Sequence, residues 1–120
     1  PQVSVVMGVF NGGAELGPTL ESILSQQGCD FEFIVVDDGS TDETPRILAA
    51  HAAADPRLRV ITQANTGLTR ALARGCAEAR GDFIARQDCG DRSLPGRLAR
   101  QVALLQERPD AVMVASGARF

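Results

Sequence analysis

Hydrophobic positions along the chain fall into two alternating patterns. Short, nearly unbroken apolar runs occur at Val3-Ser4-Val5-Val6-Met7, Phe31 to Val36, Leu58 to Ile61, Asp82 to Ala85 and Ala111 to Val114. Runs of this length, rich in β-branched residues, are what strands buried on both faces of a parallel sheet look like. Between them lie longer stretches with helical spacing. Ala14 to Gln27 carries Leu16, Leu20, Ile23 and Leu24 on one stripe. Glu43 to Ala54, Thr66 to Ala79 and Pro95 to Glu107 follow the same habit. The boundaries are punctuated by Gly12-Gly13, Gly28, Asp55-Pro56 and Gly81, and Pro45 stands early in its helix, where a missing N–H costs little. Strands alternating with helices predict an α/β fold: a Rossmann-like, mostly parallel sheet with helices on both faces and right-handed crossovers. No repeat, low-complexity tract or linker divides residues 1–120.

Chemistry concentrates where the second apolar run stops. Ile34-Val35-Val36 leads into Asp37-Asp38, and Gly39-Ser40-Thr41-Asp42 follows. Adjacent carboxylates repel, so the pair calls for a compensating donor-rich ligand or cation. Its place at the carboxyl end of a parallel strand is where open α/β sheets bind ligands. Helix capping accounts for Ser40 to Asp42 but leaves Asp37 and Asp38 unexplained.

Composition narrows the function. The 120 residues carry a net charge of −3, and every basic residue is Arg. Without lysine, a Schiff-base mechanism, a phosphate-loop lysine and a receiver-like phosphorylation site are excluded within this segment. A mildly acidic chain without Trp or Tyr and with scattered Arg does not suit nucleic acid. No apolar run approaches the roughly 18 residues of a membrane span. Gly8, Gly12 and Gly13 follow the first strand but miss the dinucleotide-binding spacing. Cys29, Cys76 and Cys89 form no zinc or redox pattern and suit a reducing cytoplasm, and His51 reads as a surface residue.

Taken in order, several segments resemble the nucleotide-sugar-binding half of inverting family 2 glycosyltransferases with the GT-A fold. They are Val3 to Gly12, Ser22 to Gln27, Phe31 to Asp42, Asn65-Thr66-Gly67-Leu68, Ala79 to Ala85 and Asp88 to Gln101. The resemblance implies a nucleoside-diphosphate sugar, UDP-linked, as donor and a saccharide or lipid-linked acceptor, in cell envelope polysaccharide biosynthesis. It implies that Phe10 lies against the base, with Gly8 in place of the family's proline and Asn11 beside it. Asp38 then accepts the base N–H, Asp37 supports that pocket, the Gly67 loop passes beside the nucleotide, and Arg70 reaches the diphosphate.

The same resemblance places ribose and metal contacts on the second acidic cluster, Asp88-Cys89-Gly90-Asp91. Family members carry an acid where this chain has Gly90, so Asp88 and Asp91 remain as candidate ligands for Mn²⁺ or Mg²⁺, with the diphosphate and water completing the shell. Cys89 is a poor ligand for such hard cations. The loss at position 90 also favours an alternative, a degenerate transferase domain that binds nucleotide or a partner without catalysis. No general base for the acceptor hydroxyl is expected in this segment; it should lie beyond Phe120, in the remainder of a longer catalytic domain. The expected location is cytoplasmic, with any membrane attachment supplied by parts outside this chain.

Overall fold

A computed structural model describes residues 1–107. Four strands, β1 (Val3–Val9), β2 (Phe31–Asp37), β3 (Leu58–Thr62) and β4 (Phe83–Arg86), form one sheet in the order β3-β2-β1-β4. Every pairing is parallel, with Val5 opposite Phe33 and Ala85, and Val35 opposite Val60. The helices are α1 (Leu16–Leu24), α2 (Thr44–Ala54), α3 (Leu68–Ala77) and α4 (Arg97–Glu107). The α/β class, the parallel sheet and the two-sided helix cover are as the sequence pattern predicts. The strand expected at Ala111 to Val114 lies outside the described residues.

The alternation of side chains along β1 and β2 sorts the helices onto faces. Odd-numbered Val3, Val5, Met7, Val9, Phe31, Phe33 and Val35 pack with Leu16, Leu20 and Ile23 of α1, Leu48 of α2, and Leu98 and Val102 of α4. Even-numbered Ile34 and Val36 meet Ala71 of α3 on the opposite face. That face also carries a polar anchor at the sheet's amino end. Buried Glu32 accepts hydrogen bonds from Ser4 Oγ (2.6 Å), Arg80 N (2.6 Å) and Arg59 Nη1 (3.1 Å). Burial alone would raise its pKa, but the bonds from Ser4, Arg80 and Arg59 outweigh that and lower it. Three strands and the α3–β4 turn are tied together by this one ionised side chain.

Some element ends differ from the sequence reading, for local reasons. Gly13–Glu15 is a 3-10 turn rather than the start of α1. Its approach is pinned from outside, with Gly12 N–H donating to Thr44 Oγ1 (2.9 Å) and Gly13 N–H to Asp42 Oδ2 (3.1 Å). Helix α3 begins two residues late because Gly67 adopts φ +107°, outside the helical region. Beyond Leu24, Gln26 turns inward to donate to Leu94 O and accept from Leu98 N, so α1 stops where that side chain is needed elsewhere.

Helix α3 approaches β1 through Gly75, where a Cβ would stand 2.5 Å from Val6 Cγ1 and 3.3 Å from Val36 Cγ2. Gly75→Leu should therefore cost about 1–3 kcal/mol or more through overpacking. Gly17→Ala, with nothing within 4 Å of its Cβ position, should gain about 0.4–1 kcal/mol. Urea midpoints of the two variants check both signs.

Candidate functional site

Successive strands β1, β2 and β3 advance in one direction, and β4 then returns to the other side of β1. The loops leaving β1 and β4 consequently diverge, and a crevice opens at the carboxyl ends of these strands. It has a volume of about 370 Å³, within the range of small-ligand sites. From β1 and the loop after it come Gly8, Val9, Phe10, Asn11 and Gly12; from the end of β4 and its loop, Arg86, Asp88 and Cys89; Glu15 and Leu68 complete the wall.

Phe10 is 41% exposed, an unusual state for a phenyl ring at the end of a buried strand, and it offers a flat apolar surface. Gly8 is glycine for a packing reason: a Cβ there would meet Ala71 Cβ at 3.2 Å. Asn11 takes a positive φ of +51°, tolerated by asparagine, and uses its side chain to brace the next loop. Its Oδ1 accepts from Thr41 N (2.8 Å) and Asp42 N (3.3 Å), while its own N–H donates to Ser40 Oγ (2.8 Å). Ser40 to Asp42 thus chiefly join two loops rather than cap α2. The helix-start bond among them runs from Thr44 N to Asp42 Oδ1 (2.9 Å).

Asp37 and Asp38, the acid pair singled out in the sequence, are held by the chain around them. Both side chains are 1% exposed, and neither lines the crevice. Asp37 Oδ1 accepts from Ser40 N (3.0 Å), closing the turn after β2. Asp38 Oδ1 accepts from Gln63 Nε2 and Thr66 N, and Oδ2 from Gly67 N, each at 2.9 Å. The Thr66 N–H, then Gln63, lower the Asp38 pKa against the opposing effect of burial, with Gly67 adding to them. Compensation for the acid pair therefore comes from the chain's own N–H groups. Asp38 holds the Thr66-Gly67 loop that leads into α3.

The second acidic cluster also divides. Asp88 is half-exposed in the crevice, paired with Arg86 Nε at 3.0 Å. Asp91 is partly buried and is not among the crevice-lining residues; its backbone N–H reaches Asp88 O (3.1 Å). Arg70 lies exposed on α3, also away from the lining, and Arg86 is the basic residue the crevice presents. Arg86 and Glu15 were missed from the sequence. Arg86 had a usable signal, since it ends the strand that precedes the acidic loop. Glu15 had none.

Gly90 is glycine for a positive reason. Its φ is +98°, and a Cβ would stand 2.6 Å from Glu15 Oε2. The space that a residue-90 side chain would enter is filled by a carboxylate from the other side of the crevice. Gly90→Asp would therefore strain the backbone at a positive φ and displace the Glu15 carboxylate. Burial, then Glu15, raise the Cys89 pKa, which keeps that residue a thiol and a poor ligand. Among the described residues no group of three or more His, Cys, Asp or Glu side chains is placed to hold a metal ion. Glu15 and Asp88 are oxygen donors of the right chemistry that need a ligand's oxygens and water to complete a shell.

Asp38→Asn puts an amide N–H where a backbone N–H already points. Thr66 and Gly67 should lose amide hydrogen-exchange protection while the strands keep theirs. In the unaltered protein the same protection should hold above pH 4 and fade in acid. A carboxyl whose pKa is lowered by folding stabilises fully above its unfolded value of roughly 3.9 and loses that effect as pH falls through the lower folded value.

The family model described as Glycosyl transferase family 2 matches residues 4–120. EpsE of Bacillus subtilis (strain 168), named as a glycosyltransferase, is 42% identical over 119 residues, covering 98% of this chain and 43% of that protein. The succinoglycan biosynthesis protein ExoO of Rhizobium meliloti (strain 1021) is 39% identical, covering 92% of this chain and 30% of its own length. The chain thus spans less than half the length of these curated relatives. In structure it is similar to S. aureus TarS 1-349 in complex with UDP-GlcNAc (TM-score 0.82, 26% identity, 89% of this chain and 32% of that one). It is also similar to the mannosyltransferase PcManGT of Pyrobaculum calidifontis in complex with GDP-Man and Mn²⁺ (TM-score 0.80, 26% identity, 88% and 32%). A parallel sheet with a strand-order reversal, a crevice at that reversal and a match running almost end to end agree: the chain belongs to glycosyl transferase family 2.

Proposed function

We propose that this chain is the nucleotide-sugar-binding part of an inverting glycosyltransferase, and that the crevice between β1 and β4 receives the nucleoside diphosphate. The observation that carries the reading is the crevice itself, with an exposed phenyl ring on one wall and Asp88 with Arg86 on the other. Phe10 offers a stacking face for the base. Asp38 braces the Gly67 loop at the neighbouring strand end, and its Oδ2, which takes a single in-chain bond, keeps acceptor capacity for a base N–H. Asn11 and Asp37 hold the loops around that position, and Gly8 lets α3 and Leu68 close over it. Arg86, rather than Arg70, is the cation in place to meet a phosphate.

Charge supports a divalent ion. Glu15 and Asp88 present two carboxylates to a crevice whose basic residue is Arg86, and a diphosphate would be repelled unless a cation lay between. Asp88 and Glu15 would hold Mn²⁺ or Mg²⁺, with Asp91 acting through its backbone rather than as a ligand. The cation would stabilise charge on the departing nucleoside diphosphate. The relatives bound to UDP-GlcNAc and to GDP-Man with Mn²⁺ support such a ligand without choosing the base or sugar. The acceptor, a saccharide or a lipid-linked saccharide, and the base that deprotonates its hydroxyl belong in this reading to a larger catalytic domain of which residues 1–120 are a part. Among the described residues no helix is long and apolar enough to cross a membrane. A cytoplasmic site, where nucleotide sugars are made, fits the reading.

Calorimetry on the full-length protein tests it. UDP or GDP should bind more tightly with Mn²⁺ present, and Asp88→Ala should abolish that gain while preserving metal-free nucleotide binding. Phe10→Ala should weaken binding by about 1–3 kcal/mol with or without metal, the usual worth of a base on an aromatic ring. A well-folded protein that binds neither nucleotide would overturn the proposal, and nucleotide binding without sugar transfer would favour the binding-only alternative.

A further inference from the structure

Behind the crevice, and not lining it, sits a buried polar network that the nucleotide reading does not use. Arg97, at the start of α4, is 5% exposed, and its Nε has no hydrogen-bond partner. Nη1 donates to Gln87 Oε1 and to Ser93 Oγ, both at 2.7 Å, and Nη2 donates to Arg86 O at 2.9 Å. Ser93 Oγ donates to the same Gln87 oxygen at 2.9 Å. With Oε1 held by two donors, the amide of Gln87 has one orientation, because a flip would set donor against donor. Its Nε2 consequently points at the acidic loop and donates to Asp91 O (2.9 Å) and Asp88 O (3.3 Å). From the other side α1 grips the same loop, Gly90 N–H donating to Thr19 Oγ1 and Ser93 N–H to Ser22 Oγ, each at 3.0 Å.

A guanidinium buried on neutral oxygens, with its Nε–H unmatched, is costly, and an apolar side chain would fill the space at less expense. What the network gives in return is geometric. It reaches the backbone carbonyls of Arg86, Asp88 and Asp91, which carry the crevice's cation and its exposed carboxylate. We propose that Arg97 and Gln87 are positioning residues, Arg97 orienting the Gln87 amide so that its N–H groups hold the Asp88–Asp91 loop with Asp88 aimed into the crevice. This rests on the nucleotide-binding reading for its functional consequence, but not for its structural one.

Gln87→Glu in the full-length protein separates positioning from stability. The new carboxylate pairs with Arg97 and preserves side-chain size, yet it has no N–H for the carbonyls of Asp88 and Asp91. The thermal midpoint should hold, amide exchange across residues 88–91 should accelerate, and UDP affinity in Mn²⁺ should fall roughly 10–100-fold, as when outer supports of a metal site are lost. Metal-free UDP binding should change little. Arg97→Lys keeps the charge but loses the fork; it should give an intermediate loss, and it serves if Gln87→Glu does not fold. Unchanged exchange at residues 88–91 in the folded variant overturns the proposal whether or not nucleotide binds. Wild-type affinity despite faster exchange overturns its functional half. A wild-type protein that binds no nucleotide, with exchange still accelerated by the variant, instead refutes the reading of the crevice while leaving the clamp intact.

Discussion

Strand β1 is hydrogen-bonded along both edges, to β2 over its whole length and to β4 over its first half. Because both pairings are parallel, β1, β2 and β4 all deliver their carboxyl ends to one side of the molecule. β4 is paired only as far as Val6, so β1 runs on past it to Val9. The crevice is what remains where these two chains part. Phe10, Arg86 and Asp88 are neighbours across it for that reason alone.

The loops around this opening are held by side chains that bond to backbone, not by regular structure. Asn11 and Thr44 secure the β1–α1 passage, Asp38 the approach to α3, and Gln87 with Thr19 the approach to α4. Each such bond satisfies a backbone group that would otherwise be exposed or lost at a strand end. The arrangement keeps irregular segments in place next to a cavity without filling it. It also explains why so many polar residues near the crevice are buried and yet do not face it.

Sequence pattern alone determined the alternation of strands and helices, the parallel class of the sheet and the family. Hydrophobic period is a local property, and the motif segments are contiguous. The family resemblance also brought Gly8, Phe10, Asn11 and Asp88 to notice, all of which line the crevice, because its motif segments are contiguous in sequence. Glycine at 90 was visible as a departure, but its reason was not.

Tertiary structure decided the rest. How Asp37 and Asp38 are held depends on what lies opposite them: Ser40 N bonds to Asp37, and Gln63, Thr66 and Gly67 bond to Asp38. Arg86 enters the crevice because β4 ends beside β1, whereas Arg70 is exposed on α3 away from it. Glu15 reaches the space beside Gly90 from 75 residues away, and Arg97 governs the acidic loop through an amide it meets only when α4 packs against the sheet. Spacing along a chain describes one strand or helix at a time. Hydrogen-bond partners across loops are chosen by packing, and no pattern in a single segment contains them.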